Sequence, residues 1–540
     1  MENLLISINA KFIHTNNAVR SLKANCDFKC DIAEYTIKDP AESIVEMIDS
    51  SQYDVIGFSV YIWNVEIIKT ILNLIKSNKI IILGGPEVSY EPEHFLGFDK
   101  VNYIIKGEGE LAFNQLLHSI NNQNYTPNIP SIAYLNEGKL VDHPIEEILN
   151  LETLNAPYFF KEDIEHIPNR IAYIESSRGC PYNCSYCLSS LEKTVRFFNI
   201  DDVKKAIDYY LTNGAKTIKF LDRTFNANKK TLDIFNYIIE KDNGYATFQF
   251  EITGDTLSPK IVELIHQKAR KGLFRFEIGI QSTNYNTNRL VNRIQDNDKL
   301  FSIIESIIKA DIITLHLDLI AGLPGEDKAS FIHTFNEVFI RGAKELQLGF
   351  LKLLRGTMLK KQATSFGMIY SDHSPYEIIR TNVLSEEDIK EIHLVEHMLE
   401  IYHNKGYFGK NMLNILIQKS SPYHFLLKIG EDYLNKNYSL HRYQLEDVYL
   451  RLFKHLSPKE QYLIKQDYLM RSTIKPKDIF KDDIEKQTKK NILEQVASMY
   501  NIQIRLLYKH TRIIRFEEET FIVYYKGDNP ISYTLLKKDI

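Results

Sequence analysis

The sequence predicts an α/β protein in three parts: a doubly wound parallel sheet, a partial (β/α)6 barrel, and a mainly helical C-terminal domain. Three observations predict it. Strand-like and helix-like runs alternate over residues 3–120, alternate again over 168–365, and give way beyond about 370 to heptad-like apolar spacing. At 540 residues the chain also exceeds the size at which a single core keeps growing. The expected boundaries are 1–125 for the first domain, 126–167 for a linker, 168–369 for the barrel and 370–540 for the last domain.

In the first domain, apolar runs at 4–8, 31–37, 55–60, 80–83 and 103–105 read as strands, and the patterns near 14–24, 40–50, 64–77 and 109–120 as helices. Near-continuous apolar strands alternating with helices mean a parallel sheet covered on both faces. Ligands of such sheets bind beyond the carboxyl ends of the strands. Those ends carry Asn9, Ser59, Gly84-Gly85-Pro86-Glu87 and Lys106-Gly107-Glu108-Gly109-Glu110. Trp63, the one tryptophan, sits at such an end, where it either walls a flat ligand or packs a helix against the sheet. Cys26 and Cys30 read as structural. The stretch 121–167 is dense in turn formers, with a hairpin expected from 131–134 and 139–142, and reads as a strap between domains.

In the second domain the strands are expected at 172–175, 217–221, 247–252, 275–279, 314–319 and 345–351. Reactive groups of barrels gather at the carboxyl ends of their strands. Directly after the first strand comes Ser177-Arg178-Gly179-Cys180-Pro181-Tyr182-Asn183-Cys184-Ser185-Tyr186-Cys187. This C-x3-C-x2-C spacing offers three thiolates from one short loop. Three thiolates hold three corners of a 4Fe–4S cube and leave one iron open. A zinc site wants a fourth ligand, and no cysteine or histidine lies close after Cys187 to supply it.

The cysteine run, with Tyr186 before its last member, resembles the signature of the radical S-adenosylmethionine superfamily. That resemblance implies S-adenosylmethionine bound at the open iron, with Cys180, Cys184 and Cys187 as cluster ligands, and cleavage to methionine and a 5′-deoxyadenosyl radical. It also implies cofactor-binding roles for Tyr186, for Asp222 on the methionine ammonium, for Glu277 or Gln281 on the ribose, and for Gly322 and Leu353 around the adenine. Departures from the family pattern are visible: Asp222 lacks the family's two preceding glycines, Asp318 replaces a glycine, and Glu326 stands one position late. The order of a flavodoxin-like domain before this core resembles the cobalamin-binding subfamily. Ser59, Gly84 and Gly85 match its second and third motif elements, with Tyr61 in the leucine slot. In the first element Asn9 opens the segment, Lys11 takes the histidine slot and His14 the glycine slot. Cobalamin would then lack a histidine on its lower face, or take His14 as a substitute.

Composition narrows the rest. A net charge of −4 with 44% hydrophobic residues argues against a nucleic-acid or membrane footprint. With no basic-then-apolar leader and only five cysteines, a reducing cytoplasm is expected. The expected function is reductive cleavage of S-adenosylmethionine, leading to cobalamin-dependent methylation of an unactivated carbon. The alternatives are a cobalamin-independent radical enzyme for RNA modification or ring formation, and a non-catalytic iron–sulfur redox or sensor protein. The expected partner is a small electron donor such as flavodoxin or ferredoxin. The C-terminal domain, of unassigned role, is expected to be helical at 389–402 and 443–456, with short strands at 502–508, 513–516 and 520–525.

Overall fold

The computed structural model describes residues 1–192, 194–480, 484–526 and 529–536. These form two compact units, Met1–Lys328 with Leu348–Glu386, and Ala329–Gln347 with Glu387–Ile540.

The first unit opens with β1 (Asn3–Asn9), α1 (Asn17–Ala24), β2 (Cys30–Thr36), α2 (Ala41–Ser50), β3 (Val55–Ser59), α3 (Val65–Leu74), β4 (Ile80–Gly84), α4 (Pro92–Leu96), β5 (Val101–Ile105) and α5 (Glu110–Asn121). β1, β3, β4 and β5 bury apolar side chains on both faces, so both faces must be covered, whereas the edge strand β2 carries Asp31 and Glu34 and is half-buried. Ile6, Ile8, Ile56 and Phe58 pack against Ile44 of α2 and Ile68 of α3. On the other side Leu5, Val55 and Ile82 meet Val19 of α1 and Leu116 of α5. The five strands run parallel in the order β2-β1-β3-β4-β5. The expected hairpin forms as β6 (Ile132–Asn136) and β7 (Lys139–Asp142), but it is not a free strap. It pairs antiparallel with β5 and widens the sheet to seven strands. Buried Ile132, Ala133 and Tyr134 explain why: their apolar face completes the sheet cores.

The barrel strands are β8 (Ile171–Ile174), β11 (Thr217–Phe220), β12 (Thr247–Ile252), β13 (Phe274–Gln281), β14 (Thr314–Ala321) and β15 (Glu345–Phe350), hydrogen-bonded in that order. A two-residue ladder, β9 (Ser177–Arg178) with β10 (Arg196–Phe197), brackets the cysteine loop. Helices α6 (Ile200–Thr212), α7 (Thr231–Glu240), α8 (Pro259–Lys268), α9 (Tyr285–Leu290) and α10 (Asn297–Ala310) intervene. Alternation along each strand sorts the side chains by face. Phe220, Phe248, Phe250, Phe274 and Phe276 turn toward the helices and pack with Phe225 and Phe235. Lys219, Glu251, Glu277 and His316 take the opposite face. The segment 351–357, which carries Leu353, is a loop: β15 ends at Phe350, and Gly356 adopts φ +82° against the Tyr90 ring. Beyond it lie α12 (Met358–Lys361) and a second small ladder, β16 (Ile369–Tyr370) with β17 (Ile378–Arg380).

The second unit contains α11 (Lys328–Phe339), whose Phe335 packs edge-on to Tyr423 at 5.6 Å. It continues through α13 (Glu386–Leu399), a single π turn at Glu400–Asn404, α14 (Lys410–Ile417), α15 (Pro422–Asn435), α16 (Leu445–Phe453), α17 (Pro458–Arg471), α18 (Lys486–Tyr500) and α19 (Ile504–His510). A meander of β18 (Thr511–Phe516), β19 (Glu519–Tyr524) and β20 (Ile531–Leu536) closes it. Residues 502–508 were expected as a strand and are largely the helix α19. The alternation Ile502, Ile504, Leu506 breaks at the adjacent Leu507, which is fully buried among Ile492, Val496 and Ile513 as a helical i, i+3 partner of Ile504. Among the described residues no helix is long and apolar enough to cross a membrane.

One ion-pair network anchors the sheet to the segment leading into β8. Arg20 of α1 donates to Glu34 at 3.0 Å and to Asp163 at 2.6 Å, and Arg170 also donates to Glu34. Burial alone would raise the Glu34 carboxyl, but the two guanidiniums outweigh it and hold it at about 2. A carboxylate depressed from 4.5 to about 2 contributes on the order of 3 kcal/mol. That contribution is complete above about pH 4.5 and is lost as the pH falls toward 2. Glu34→Gln is therefore expected to lower the thermal midpoint at pH 6, with the gap to the parent protein narrowing as the pH drops below 4.5; an equal gap at pH 6 and pH 3, by calorimetry, would refute the assignment.

Candidate active site

The cysteine loop begins where β8 hands over to β9. Gly179 takes φ +87°, and a Cβ there would collide with the carbonyl oxygen of Thr194, so this position has to be glycine. The loop is fixed at its middle: Ser185 N–H donates to Val291 O at 2.9 Å, and Leu359 N–H donates to Ser185 O at 2.9 Å. Cys187 N–H closes a turn onto Cys184 O at 3.0 Å. Cys184 is buried, Cys180 and Cys187 are half-buried, and all three thiols are unpaired. Cys180 Sγ lies 3.4 Å from the Thr224 hydroxyl just past β11. Three thiolates from one loop match the donor set of a 4Fe–4S cluster with an open corner.

Three carboxylates grip the residue before Gly179. Arg178 pairs with Glu110 at 2.7 Å, Glu175 at 3.0 Å and Glu108 at 3.2 Å, every partner at least four-fifths buried. Arg196, on the strand paired with β9, donates to Glu108 at 2.7 Å. Glu108 and Glu110 belong to the carboxyl end of β5 and the start of α5. The sheet edge and the cysteine loop are thereby locked together. A second junction lies nearby: His14 Nδ1 is 2.7 Å from the Tyr173 hydroxyl, and Ile171 N–H donates to Ile13 O at 2.8 Å.

The barrel positions divide. Asp222 is fully buried and already engaged: it accepts from Ser176 N–H at 2.9 Å, Ser176 Oγ at 2.5 Å and Ser177 Oγ at 2.6 Å. Burial pushes its carboxyl up to about 6, with the serines opposing. Its oxygens thus brace the turn into the cysteine loop through Ser176 and Ser177. Glu277 faces the lumen, accepting from Lys219 Nζ at 2.7 Å, with Glu251 beside it and His316 2.9 Å from Asp318. Gln281, at φ +66° on a bulge in β13, packs its amide over Gly279 and leaves a buried Oε1 without a partner. Gly322, at φ +89°, is forced by Ile378, which a Cβ would meet at 2.6 Å. Leu353 is buried, with its N–H donating to Tyr376 O at 3.0 Å.

At the sheet edge, Asn9 and Ser59 turn inward. Asn9 bridges His14 O, Glu34 and Ser7, and Ser59 accepts from Asn16 Nδ2 at 3.0 Å. Gly85, at φ +115°, owes its identity to Val60: a Cβ would sit 2.5 Å from the Val60 carbonyl oxygen. What remains open is aromatic. Trp63 is 45% exposed, stacks on Tyr61 with ring centres 4.3 Å apart and planes 7° apart, and donates through Nε1 to Ile8 O. His14 is held by Tyr173, and burial with Lys11 and Lys219 pushes its imidazolium below the usual range. The edge therefore presents a flat aromatic surface, beside a His14 imidazole already engaged by Tyr173. Sequence reasoning missed Arg178 and Arg293. Arg293 donates to Gly279 O and lies against Tyr186 and Cys184, and no local pattern announces either arginine.

Comparison with known proteins gives three family matches along the chain. Residues 174–338 match the family model described as "Radical SAM superfamily", 4–117 match "B12 binding domain", and 364–525 match "Protein of unknown function (DUF4080)". An uncharacterized methyltransferase of Pyrococcus horikoshii is 23% identical over 58% of this chain and 69% of its own length. The cobalamin-dependent radical SAM methyltransferase TokK of Streptomyces tokunonensis is 24% identical over 55% of this chain, which spans only 45% of TokK. Among solved structures, the cobalamin-dependent S-adenosylmethionine radical enzyme OxsB superposes with a TM-score of 0.61 at 14% identity, over 86% of this chain and 80% of that one. The radical S-adenosylmethionine methyltransferase TsrM from Kitasatospora setae gives 0.57 at 13% identity, over 80% of this chain and all of that one. At such identities the two superpositions establish a shared fold.

Removing one partner of a buried charge network strands the others, at a cost of about 3–5 kcal/mol. Arg178→Met is expected to lose that much in urea unfolding, whereas Lys205→Met, which breaks an exposed pair with Asp202, is expected to change nothing measurable. Equal behaviour of the two variants would contradict the clamp.

Proposed function

We propose that this chain, a radical S-adenosylmethionine enzyme carrying a B12-binding domain, methylates an unactivated carbon of its substrate. The observation that carries the reading is the fixed juxtaposition, within one compact unit, of the cysteine loop and the open aromatic edge of the N-terminal sheet. When bound, the cluster supplies the electron that cleaves the sulfonium of S-adenosylmethionine, and cobalamin supplies the methyl-carrying centre.

The chain's own residues then have assignable tasks. Cys180, Cys184 and Cys187 hold the cluster, and Tyr186 with Arg293 packs its buried side. Asp222 positions the loop through Ser176 and Ser177. Gln281, with its unpartnered acceptor, is the better candidate for a ribose hydroxyl, since Glu277 is occupied by Lys219. Gly322 and Leu353 line the adenine side through their backbone. Tyr61 and Trp63 support the corrin in place of a histidine. The lumen charges of Lys219, Glu251, Glu277 and Asp318 exclude a purely apolar substrate, because leaving them against hydrocarbon would strand them. Reducing equivalents come from a small donor of the flavodoxin or ferredoxin type.

The test is anaerobic reconstitution with iron, sulfide and cobalamin, followed by ultraviolet–visible spectroscopy and an assay of 5′-deoxyadenosine with dithionite and S-adenosylmethionine. Cluster bands, corrin bands and 5′-deoxyadenosine together are the expected result, with all cleavage lost in Cys184→Ala. Cleavage without corrin uptake would overturn the cobalamin reading and move the chain to other radical reactions. Retained cleavage in Cys184→Ala would overturn the cluster assignment itself. Trp63→Ala is expected to weaken corrin retention on gel filtration while leaving the cluster bands unchanged.

A further inference from the structure

Two cysteines lie outside the cluster loop. Cys26 follows α1, and Cys30 opens β2 after the short connection Asp27-Phe28-Lys29. Their sulfurs are 3.5 Å apart, with the Cys30 thiol donating to Cys26 Sγ. The Phe28 N–H also donates to Cys26 Sγ, at 3.4 Å. Cys26 is partly exposed, whereas Cys30 is buried at 3% exposure. Among the described residues no third ligand completes a metal site with them.

We propose that Cys26 and Cys30 form a reversible dithiol–disulfide site, oxidised by exchange with a disulfide-bearing partner. The proposal is independent of the function assigned to the cluster loop and the sheet edge. A disulfide needs its sulfurs at about 2.05 Å, so side-chain rotation within the short connection must close roughly 1.5 Å. The two thiols are not equivalent. The hydrogen bond from Cys30, with help from the Phe28 N–H and His118, holds the Cys26 thiol down at about 7 against the effect of burial. The same hydrogen bond, together with burial, pushes Cys30 well above its ordinary range. Asp27 opposes the lowering at Cys26, but its carboxylate is itself tied to His118 Nε2 at 2.8 Å. An accessible thiolate beside a buried thiol is the arrangement of an attacking and a resolving cysteine.

The exchange balances as follows. The Cys26 thiolate attacks one sulfur of the partner's disulfide, and the partner's other half leaves and takes up a proton. Cys30 then gives up its proton, and its sulfur displaces the partner from Cys26. Two electrons pass from the cysteine pair to the partner, which departs as two thiols, one protonated by the proton Cys30 gives up and the other by solvent.

The experiment uses the full-length, cluster-loaded protein, treated anaerobically with oxidised glutathione, alkylated and mapped by peptide mass spectrometry. The expected product is a peptide cross-linked between Cys26 and Cys30, returned to two alkylated cysteines by dithiothreitol. In Cys30→Ser the expected product is glutathione trapped on Cys26, and in Cys26→Ser residue Cys30 is expected to stay unmodified. Two alkylated cysteines after treatment of the parent protein would overturn the proposal, as would glutathione remaining on Cys26 of the parent protein without a cross-link. The parent-protein result decides the question even where a variant folds poorly.

Discussion

The guanidinium of Arg178 is the constraint on which the arrangement of the first unit depends. It sits one residue before the obligate Gly179, and its three carboxylates arrive from three directions: Glu175 from the end of β8, Glu108 from the loop after β5, and Glu110 from the first turn of α5. None of these charges is stable alone in so little water. Together they are satisfied, and only when sheet and barrel are in register. The position of the cysteine loop is thus conditional on the N-terminal sheet being folded and docked. A buried ionic joint of this kind adds less to stability than to uniqueness, because a slip of even one residue would strand a charge.

The barrel applies the same logic to its two faces. Behind the strands, a block of phenylalanines packs against the helices with edge-to-face geometry, as in Phe235 against Phe274. In front, the strands present charges that answer one another across neighbouring registers: Glu251 pairs in register with Glu277, and Glu277 with His316. Burial raises the Glu251 carboxyl, with Arg223 and Lys219 pulling against it and Glu277 and Asp318 adding to it. The lumen is therefore neither an apolar cavity nor a single-sign field. It is a set of balanced charges that a polar guest can rearrange without leaving any of them bare.

Much of this was legible in the sequence where the signal was local. The three cysteines declare themselves because their spacing is a property of one loop, and the parallel strands declare themselves because most are apolar on both faces, with β2, which carries Asp31 and Glu34, as the exception. What escaped depends on distance or direction. Arg178 and Glu110 are far apart in the chain, so nothing in either neighbourhood marks the pair. Asp222 was found by position, but sequence gives no direction for a side chain, and its oxygens turn back toward Ser176 and Ser177. Gly84-Gly85 stood out as a motif element at a strand's carboxyl end, but sequence does not say what a glycine accommodates, and the group against Gly85 is the chain's own Val60. Residues 502–508 misled because three alternating positions, Ile502, Ile504 and Leu506, satisfy a strand template before Leu507 breaks it.

The segment after β15 separates two kinds of boundary. The match to the family of unknown function begins at residue 364, yet the chain remains part of the first compact unit through Glu386. Within that overlap Ile378 covers Gly322, the Tyr376 hydroxyl donates to the buried Glu87 at 2.7 Å, and Ile378 N–H donates to Leu351 O. The border of the family match and the border of the compact unit are therefore different. A fragment stopped at the first would expose the turn at Gly322 and leave the Glu87 carboxyl without its hydroxyl donor. The opening residues of that family match are thus among the walls of the first compact unit itself.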